Sequence, residues 1–161
     1  MVKRFEYDDG RIVYKNEYGE MHREDGPAIT FPNGTRIWHK NGKRHRVDGP
    51  AFIEPNGTKK WFINGKMHRE DGPAEILSDG KKFWYKNDQL HREDGPAVIY
   101  PNGTKQWWID GKLHREEGPA IIWSDRTTAW CLNGVWYSLN VWIELVNLSD
   151  EEKMELMLYY G

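Results

Sequence analysis

The sequence predicts an all-β protein: an elongated antiparallel sheet of stacked 23-residue β-hairpin repeats, closed by a small α-helical cap at the C-terminal end. Three observations carry that prediction. First, the string "HREDGPA" begins at His22 and recurs at His68 and His91, with near-copies at His45 ("HRVDGPA") and His114 ("HREEGPA"), so successive copies lie 23 residues apart throughout. An unbroken period of this kind marks a repeat architecture, in which each unit buries apolar surface against its neighbours. Second, every repeat holds turn signals. "PNGT" starts at Pro32, Pro55 and Pro101, with "SDGK" at Ser78 and "SDRT" at Ser124 in the same register. "NG" or "DG" then follows at Asn41, Asn64, Asp110 and Asn133. These dipeptides favour the positive φ of tight hairpin turns. Third, the segments between turns are short and rich in β-branched and aromatic residues, as in "AVIY" at Ala97 and "KQWWI" at Lys105. That composition reads as strand, and Gly and Pro interrupt the chain too often for helices.

Taken in order, residues 4–16, "RFEYDDGRIVYKN", read as a degenerate first hairpin whose charges discourage edge-to-edge pairing. Repeats follow from about residue 22, with two strands each. Two strands advance a sheet by roughly 9.6 Å, so five repeats would span roughly 50 Å. Like residues then form ladders: a tryptophan column (Trp38, Trp61, Trp84, Trp107, Trp130) and an isoleucine column (Ile53, Ile76, Ile99, Ile122), with Thr30 first. After Asn133 the pattern stops, and Tyr137 occupies the place of the next histidine. "SLNVWIELVN" from Ser138 reads as a short apolar helix. Ser149 opens "SDEE", a capping box with Glu152, and starts a helix to about Tyr160. Residues 1–137 are therefore assigned to the repeat array and 138–161 to a helical cap that covers the last strand.

Composition narrows the function classes. Nine Trp, eight Tyr and five Phe bring enough burial to exclude a disordered chain. With 23 basic and 25 acidic residues, the charge balance argues against a broad nucleic-acid or anionic-membrane partner. The single cysteine, Cys131, allows neither an intrachain disulfide nor a cysteine-based zinc site. "MVKRFEYDDG" has no apolar signal segment, and no apolar run reaches membrane-spanning length. The expected setting is the cytoplasm of a bacterial or phage-infected cell, with a homo-oligomer compatible with the sequence.

A string of His, Arg and carboxylate invites a catalytic or metal reading, but its recurrence points the other way. A catalytic constellation occurs once and breaks a repeat, and no nucleophile sits beside the His/Asp pair. Equivalent histidines in adjacent repeats would lie about 10 Å apart, whereas zinc needs several ligands at about 2.0–2.1 Å. No catalytic residue, metal or cofactor is assigned. The motif is read as a structural joint. Each arginine (Arg23, Arg46, Arg69, Arg92, Arg115) is expected to pair with an acidic residue (Asp25, Asp48, Asp71, Asp94, Glu117), within a repeat or between repeats, locking one hairpin to the next. His22, His45, His68, His91 and His114 are expected to cap or bond a turn carbonyl. The motif glycine would supply backbone freedom, and proline a fixed φ.

Function is sought in the positions that vary. The residue after each Trp is His39, Phe62, Tyr85, Trp108 or Cys131; the one before each "PNGT"-type turn is Phe31, Glu54, Leu77, Tyr100 or Trp123. The large aromatics among them (Phe31, Phe62, Tyr85, Tyr100, Trp108 and Trp123) are the binding candidates, although they would equally complete two half-buried faces. A basic column, Arg36, Lys59, Lys82 and Lys105, stands two residues before each Trp. Residues i and i+2 of a strand share a face, so Lys59, Lys82 and Lys105 are expected beside the Trp ladder. There their stems would cover the rings, or the pair would stack a base and hold a phosphate. Which face holds the Trp ladder relative to the variable aromatics depends on the turn, because a one-residue slip exchanges the faces.

The pattern W-x-x-N-G-K-x-H-x-x-x-G with its 23-residue period resembles MORN repeats over about residues 4–137. Arg follows each His in this chain and "DGPA" is additional, which makes it a MORN-like variant of bacterial or bacteriophage type. The resemblance implies successive β-hairpins with glycine turns and stacked aromatics, and association with protein or lipid rather than catalysis. No ligand residue is carried over. The expected function is a non-enzymatic interaction protein that binds a protein partner on an aromatic-rich sheet face. The alternative is a small-ligand protein that sequesters a nucleotide signal, in a phage setting an inhibitor of bacterial defence.

Overall fold

The computed structural model describes residues 1–161. Its strands form a 13-stranded antiparallel sheet of hairpins, accompanied by two-stranded ladders and two C-terminal helices. The chain divides into two compact units, Met1–Gln89 and Leu90–Gly161, both built from the same repeat. No helix is long and apolar enough to cross a membrane.

The predicted first hairpin forms from Lys3–Glu6 and Ile12–Lys15, with Arg4 opposite Tyr14 and Phe5 opposite Val13. In the first full repeat Ile29–Thr30 pairs with Arg36–Ile37 across the Pro32 turn. That turn is closed by the Asn33 side chain, whose Oδ1 accepts the Thr35 N–H at 2.9 Å. Gly34 takes φ 89° there, a left-handed conformation that glycine adopts without penalty. The second turn, Asn41–Gly42, has positive φ at both residues, as a tight hairpin between twisted strands demands.

Two strands per repeat were expected, and the structure has four short ones. The strand after the Pro32 turn breaks at Trp38: Arg36–Ile37 belongs to the large sheet, and His39–Lys40 pairs with Lys43–Arg44 in a separate ladder. The cause is backbone pairing. The Trp38 N–H donates to Ala51 O of the following motif, while the Trp38 carbonyl accepts from His45 N–H. Trp61 does the same with Ala74 and His68, and Trp107 with Ala120 and His114. Each of these tryptophans is the point at which the chain passes from one ladder to the other.

The register assigns the two faces of the large sheet, because residues directly opposite on neighbouring strands share a face. In the first unit one row runs Val13, Ile29, Ile37, Phe52, Lys60, Glu75, Phe83. The other runs Ile12, Thr30, Arg36, Ile53, Lys59, Ile76, Lys82. The first row is the inner one: Val13, Ile29 and Ile37 are buried together, with Phe31 and Phe52 packed against them. In the second unit Val98 and Ile121 occupy equivalent buried positions. The motif alanines, from Ala28 to Ala120, have no exposed surface.

Helix α1 spans Leu139–Leu145 and α2 spans Asp150–Tyr160. Ser138 caps α1, and the predicted capping box between Ser149 and Glu152 starts α2. The helices close the array chemically as well as sterically. An arginine eight residues after Trp38, Trp61 and Trp107 lies over the ring, but eight residues after Trp130 stands Ser138. Trp142 and Tyr160 take the vacant place, with ring centroids 4.6 Å and 5.4 Å from Trp130. Trp142, Ile143 and Val146 bury this end.

Candidate functional site

The recurring motif is a joint, assembled differently from the sequence expectation. Four of the five arginines pair with the acid two residues on: Nε of Arg23, Arg46, Arg69 and Arg92 donates to Asp25, Asp48, Asp71 and Asp94 at 2.8–2.9 Å, whereas Arg115 makes no such bond to Glu117. Those hydrogen bonds hold the four aspartates below the usual carboxylate range. The pair lies wholly within one motif, so it closes the loop on itself and does not lock one hairpin to the next. In the second to fifth motifs Nη1 of the arginine also reaches the proline carbonyl of the same loop, at 3.3–3.4 Å.

The guanidinium so fixed lies over an aromatic ring. Arg46 is 4.2 Å from the Trp38 centroid, Arg69 4.2 Å from Trp61, Arg115 4.0 Å from Trp107, and Arg23 4.0 Å from Tyr14. Its far side faces the motif glycine. A Cβ on Gly72 would come 3.1 Å from Arg69 Cζ, and one on Gly49 3.2 Å from Arg46 Cζ. Gly49 and Gly72 do not take positive φ. At these positions the glycine answers the close approach of the guanidinium and not a need for backbone freedom; the exception is Gly118, which takes φ 155°.

Histidine makes the link between repeats. Nδ1 of His22, His45, His68, His91 and His114 accepts the N–H of Asn41, Asn64, Asn87, Asp110 and Asn133, each the first residue of the next tight turn, at 3.0–3.3 Å. A bond to a turn carbonyl was expected. The turn at Asn41–Gly42 instead presents the N–H of Asn41 to His22. The neighbouring backbone bond from Arg23 N–H to His39 O repeats in the same sense in later motifs.

With the motif accounted for, the variable positions remain. Phe31 packs on the inner face beside Ile29, so the two variable columns flank the inner row. Four predicted residues, Phe31, Tyr85, Tyr100 and Trp108, are half-buried; Phe62 is buried and Trp123 is exposed. The predicted lysines lie elsewhere. Lys59 is opposite Ile53 and Ile76, Lys82 opposite Ile76, and Lys105 opposite Ile99 and Ile122, all in the outer row. The expected placement of Lys59, Lys82 and Lys105 beside the Trp rings is corrected: the break at each Trp interrupts the i, i+2 relation, and motif arginines occupy the rings of Trp38, Trp61 and Trp107.

On the inner face of the first unit the apolar row is interrupted by a pair that sequence reasoning missed. Lys60 and Glu75 lie opposite each other, and Nζ meets Oε1 at 2.7 Å, with the Glu75 side chain only 11% exposed. The column of Glu75 otherwise holds Ile29, Phe52, Val98 and Ile121. A single carboxylate in a column of apolar residues was the available signal. Around the pair, Lys60 sits 5.9 Å above Phe52, and Arg44 lies 5.7 Å from Phe52 and 5.2 Å from Phe62. Burial and the Glu75 charge raise the Tyr85 hydroxyl above its ordinary value. His39, at the head of the same column as Phe62 and Tyr85, is 7% exposed with no partner for Nδ1. Burial, then the charge of Arg44, lowers it to about 4, so it is neutral near pH 7.

No group of His, Cys, Asp and Glu is arranged to hold a metal ion. The hollows between successive motif loops, such as one of about 780 Å³ beside Trp38 and Arg46, are lined by the joint residues themselves. Comparison with known proteins matches no family model and no curated protein significantly.

Proposed function

We propose that the chain is a non-enzymatic binding protein of MORN-like repeat type. It takes a protein partner on the inner face, at Phe52, Lys60, Glu75, Phe83 and Tyr85 in the first unit and at Tyr100, Trp108 and Trp123 in the second. The observation that carries this reading is the segregation of side chains. Residues that recur in every repeat build the turns and the Arg–Trp–Gly joints, while Phe31, Phe52, Lys60, Glu75 and Phe83, in columns that change from repeat to repeat, share one face of the sheet in the first unit. A row of half-exposed aromatics broken by one fixed ion pair is the composition of a specific protein-recognition surface. A nucleotide would need tryptophan faces open beside lysines, and here arginines cover the rings of Trp38, Trp61 and Trp107. That favours protein over the nucleotide-signal alternative.

The test is affinity capture with the wild-type chain, the inner-face variants Tyr85→Ala and Trp108→Ala, and the outer-row variants Lys59→Glu and Lys105→Glu. One protein held by the wild type and the outer-row variants, but lost from the inner-face variants, is the expected result. Loss from the outer-row variants alone would move the interface to the other face. A stoichiometric nucleotide with no protein would replace the reading by the sequestering alternative.

A further inference from the structure

A hollow of the second unit, between the fifth motif and α2, has a volume of about 1000 Å³. Glu116, Glu117, Glu152 and Glu155 line it together with Leu156 and Tyr159, and no basic side chain does. Glu117 is the point at which this motif departs from the others. Aspartate at that position in the four earlier motifs is bound by the arginine Nε. The longer glutamate makes no ion pair with Arg115, which is instead desolvated beside Tyr160 and has its pKa lowered by that burial. Glu117 thus lacks the direct hydrogen bond that holds its counterparts, at the place where the groove opens, while its charge still acts on Arg115. Glu155 is likewise without an ion pair in the chain.

The apolar side of the groove is also unpartnered. No residue of α2 is fully buried. Leu158 and Tyr159, which line the groove, stand 82% and 78% exposed. An 11-residue helix is marginal by itself and gains order from a surface that packs on it. Carboxylates without an ion pair, Glu117 and Glu155, beside exposed Leu158 and Tyr159 match one kind of occupant by charge and by apolarity: a basic amphipathic segment. An anionic lipid surface would be repelled by the same glutamates.

We propose that the groove between the fifth motif and α2 binds a basic amphipathic segment of a protein partner, with Glu117 and Glu155 meeting its Lys or Arg side chains and Leu158 and Tyr159 its apolar ones. The site shares no residue with the inner face, so either reading can fail without the other. The probe is a fluorescein-labelled 18-residue Leu/Lys helical peptide, titrated by anisotropy with the full chain at 0.15 M salt, beside a Leu/Glu peptide of the same length. The expected result is saturable binding of the Leu/Lys peptide only, weakened about tenfold in Glu117→Gln/Glu155→Gln and by a similar factor in Leu158→Ser. The control Glu24→Gln/Glu93→Gln, which removes exposed carboxylates from other motifs, should bind as the wild type does. Equal weakening in that control would reduce the effect to general charge and overturn the site, as would binding of the Leu/Glu peptide or unchanged binding in both groove variants. Self-association abolished by the groove variants, seen by sedimentation, would assign the surface to a second copy and also overturn the proposal.

Discussion

His39 makes the stability of this protein depend on pH in a window that can be isolated. Its imidazole is 7% exposed, its Nδ1 has no partner, and Arg44 adds like charge once the ring is protonated. The ring titrates near 6.5 when exposed and at about 4 in the fold. Between those values the unfolded chain binds the proton and the folded chain does not, so stability rises with pH across the window. The contribution is complete above about pH 6.5 and disappears progressively as pH falls to about 4. At about 1.4 kcal/mol per unit, the loss is about 3 kcal/mol. The perturbation is His39→Phe, which installs the residue found one repeat later at Phe62. Urea unfolding of both proteins at half-unit steps from pH 7 to pH 4 gives two stability curves. Titrations common to both, such as those of the motif aspartates, cancel in the difference. Any packing cost of the larger ring is a constant offset. The wild-type curve should fall about 3 kcal/mol further than that of the variant. Parallel curves would show that His39 is solvated or paired in solution, and the argument from its burial would fail.

Other consequences are read by thermal or chemical unfolding. Gly72→Ala places a methyl 3.1 Å from a guanidinium that Trp61, Asp71 and Pro73 already hold, and should cost about 1–3 kcal/mol; a loss no larger than an exposed Gly→Ala change would refute the sandwich. Arg126 takes φ 71° where the other turns of its kind carry glycine, so Arg126→Gly should stabilise by about 0.5–1 kcal/mol, and a decrease would show that the arginine makes a compensating contact. Trp142→Ala should cost about 3–5 kcal/mol by uncovering Trp130. Trp142→Phe should cost much less, because the buried Nε1–H it removes has no acceptor; equal losses would contradict that orphaned donor. Glu75→Gln leaves Lys60 without its counter-charge and should cost about 1–3 kcal/mol, less than a fully buried pair because Lys60 keeps some solvent; a neutral result would mean that water already screens the pair.

Much of this fold is legible in the sequence because its determinants are local. Asn-Gly at Asn41 and Asn64 specifies positive φ within two residues. Ser149 and Glu152 satisfy each other across a single turn of helix. The 23-residue period reports that whatever one repeat does, the next does also. The candidate site was legible in part. The variable aromatics could be collected from aligned columns, but Lys60 and Glu75 sit in columns that look structural until the register sets them opposite each other. The break at Trp38 escaped for a related reason. Nothing in "RIWHK" marks it; it arises because Trp38 bonds to Ala51 through its N–H and to His45 through its carbonyl. The motif arginine could be paired with its aspartate from spacing alone, while the ring it covers lies eight residues upstream, across a turn whose geometry had to be known.

The sequence by itself determined the class of fold, its period, its turns, its helical end and the inventory of residues that recur or vary. Those follow from backbone preferences and hydrogen bonds that reach a few residues along the chain. Only the tertiary structure decided which face each column occupies, why the motif carries glycine, and that Glu117 opens onto a groove instead of closing on its arginine. Those depend on which strand lies opposite and how closely two side chains approach, quantities set by register and packing between repeats rather than by any one of them.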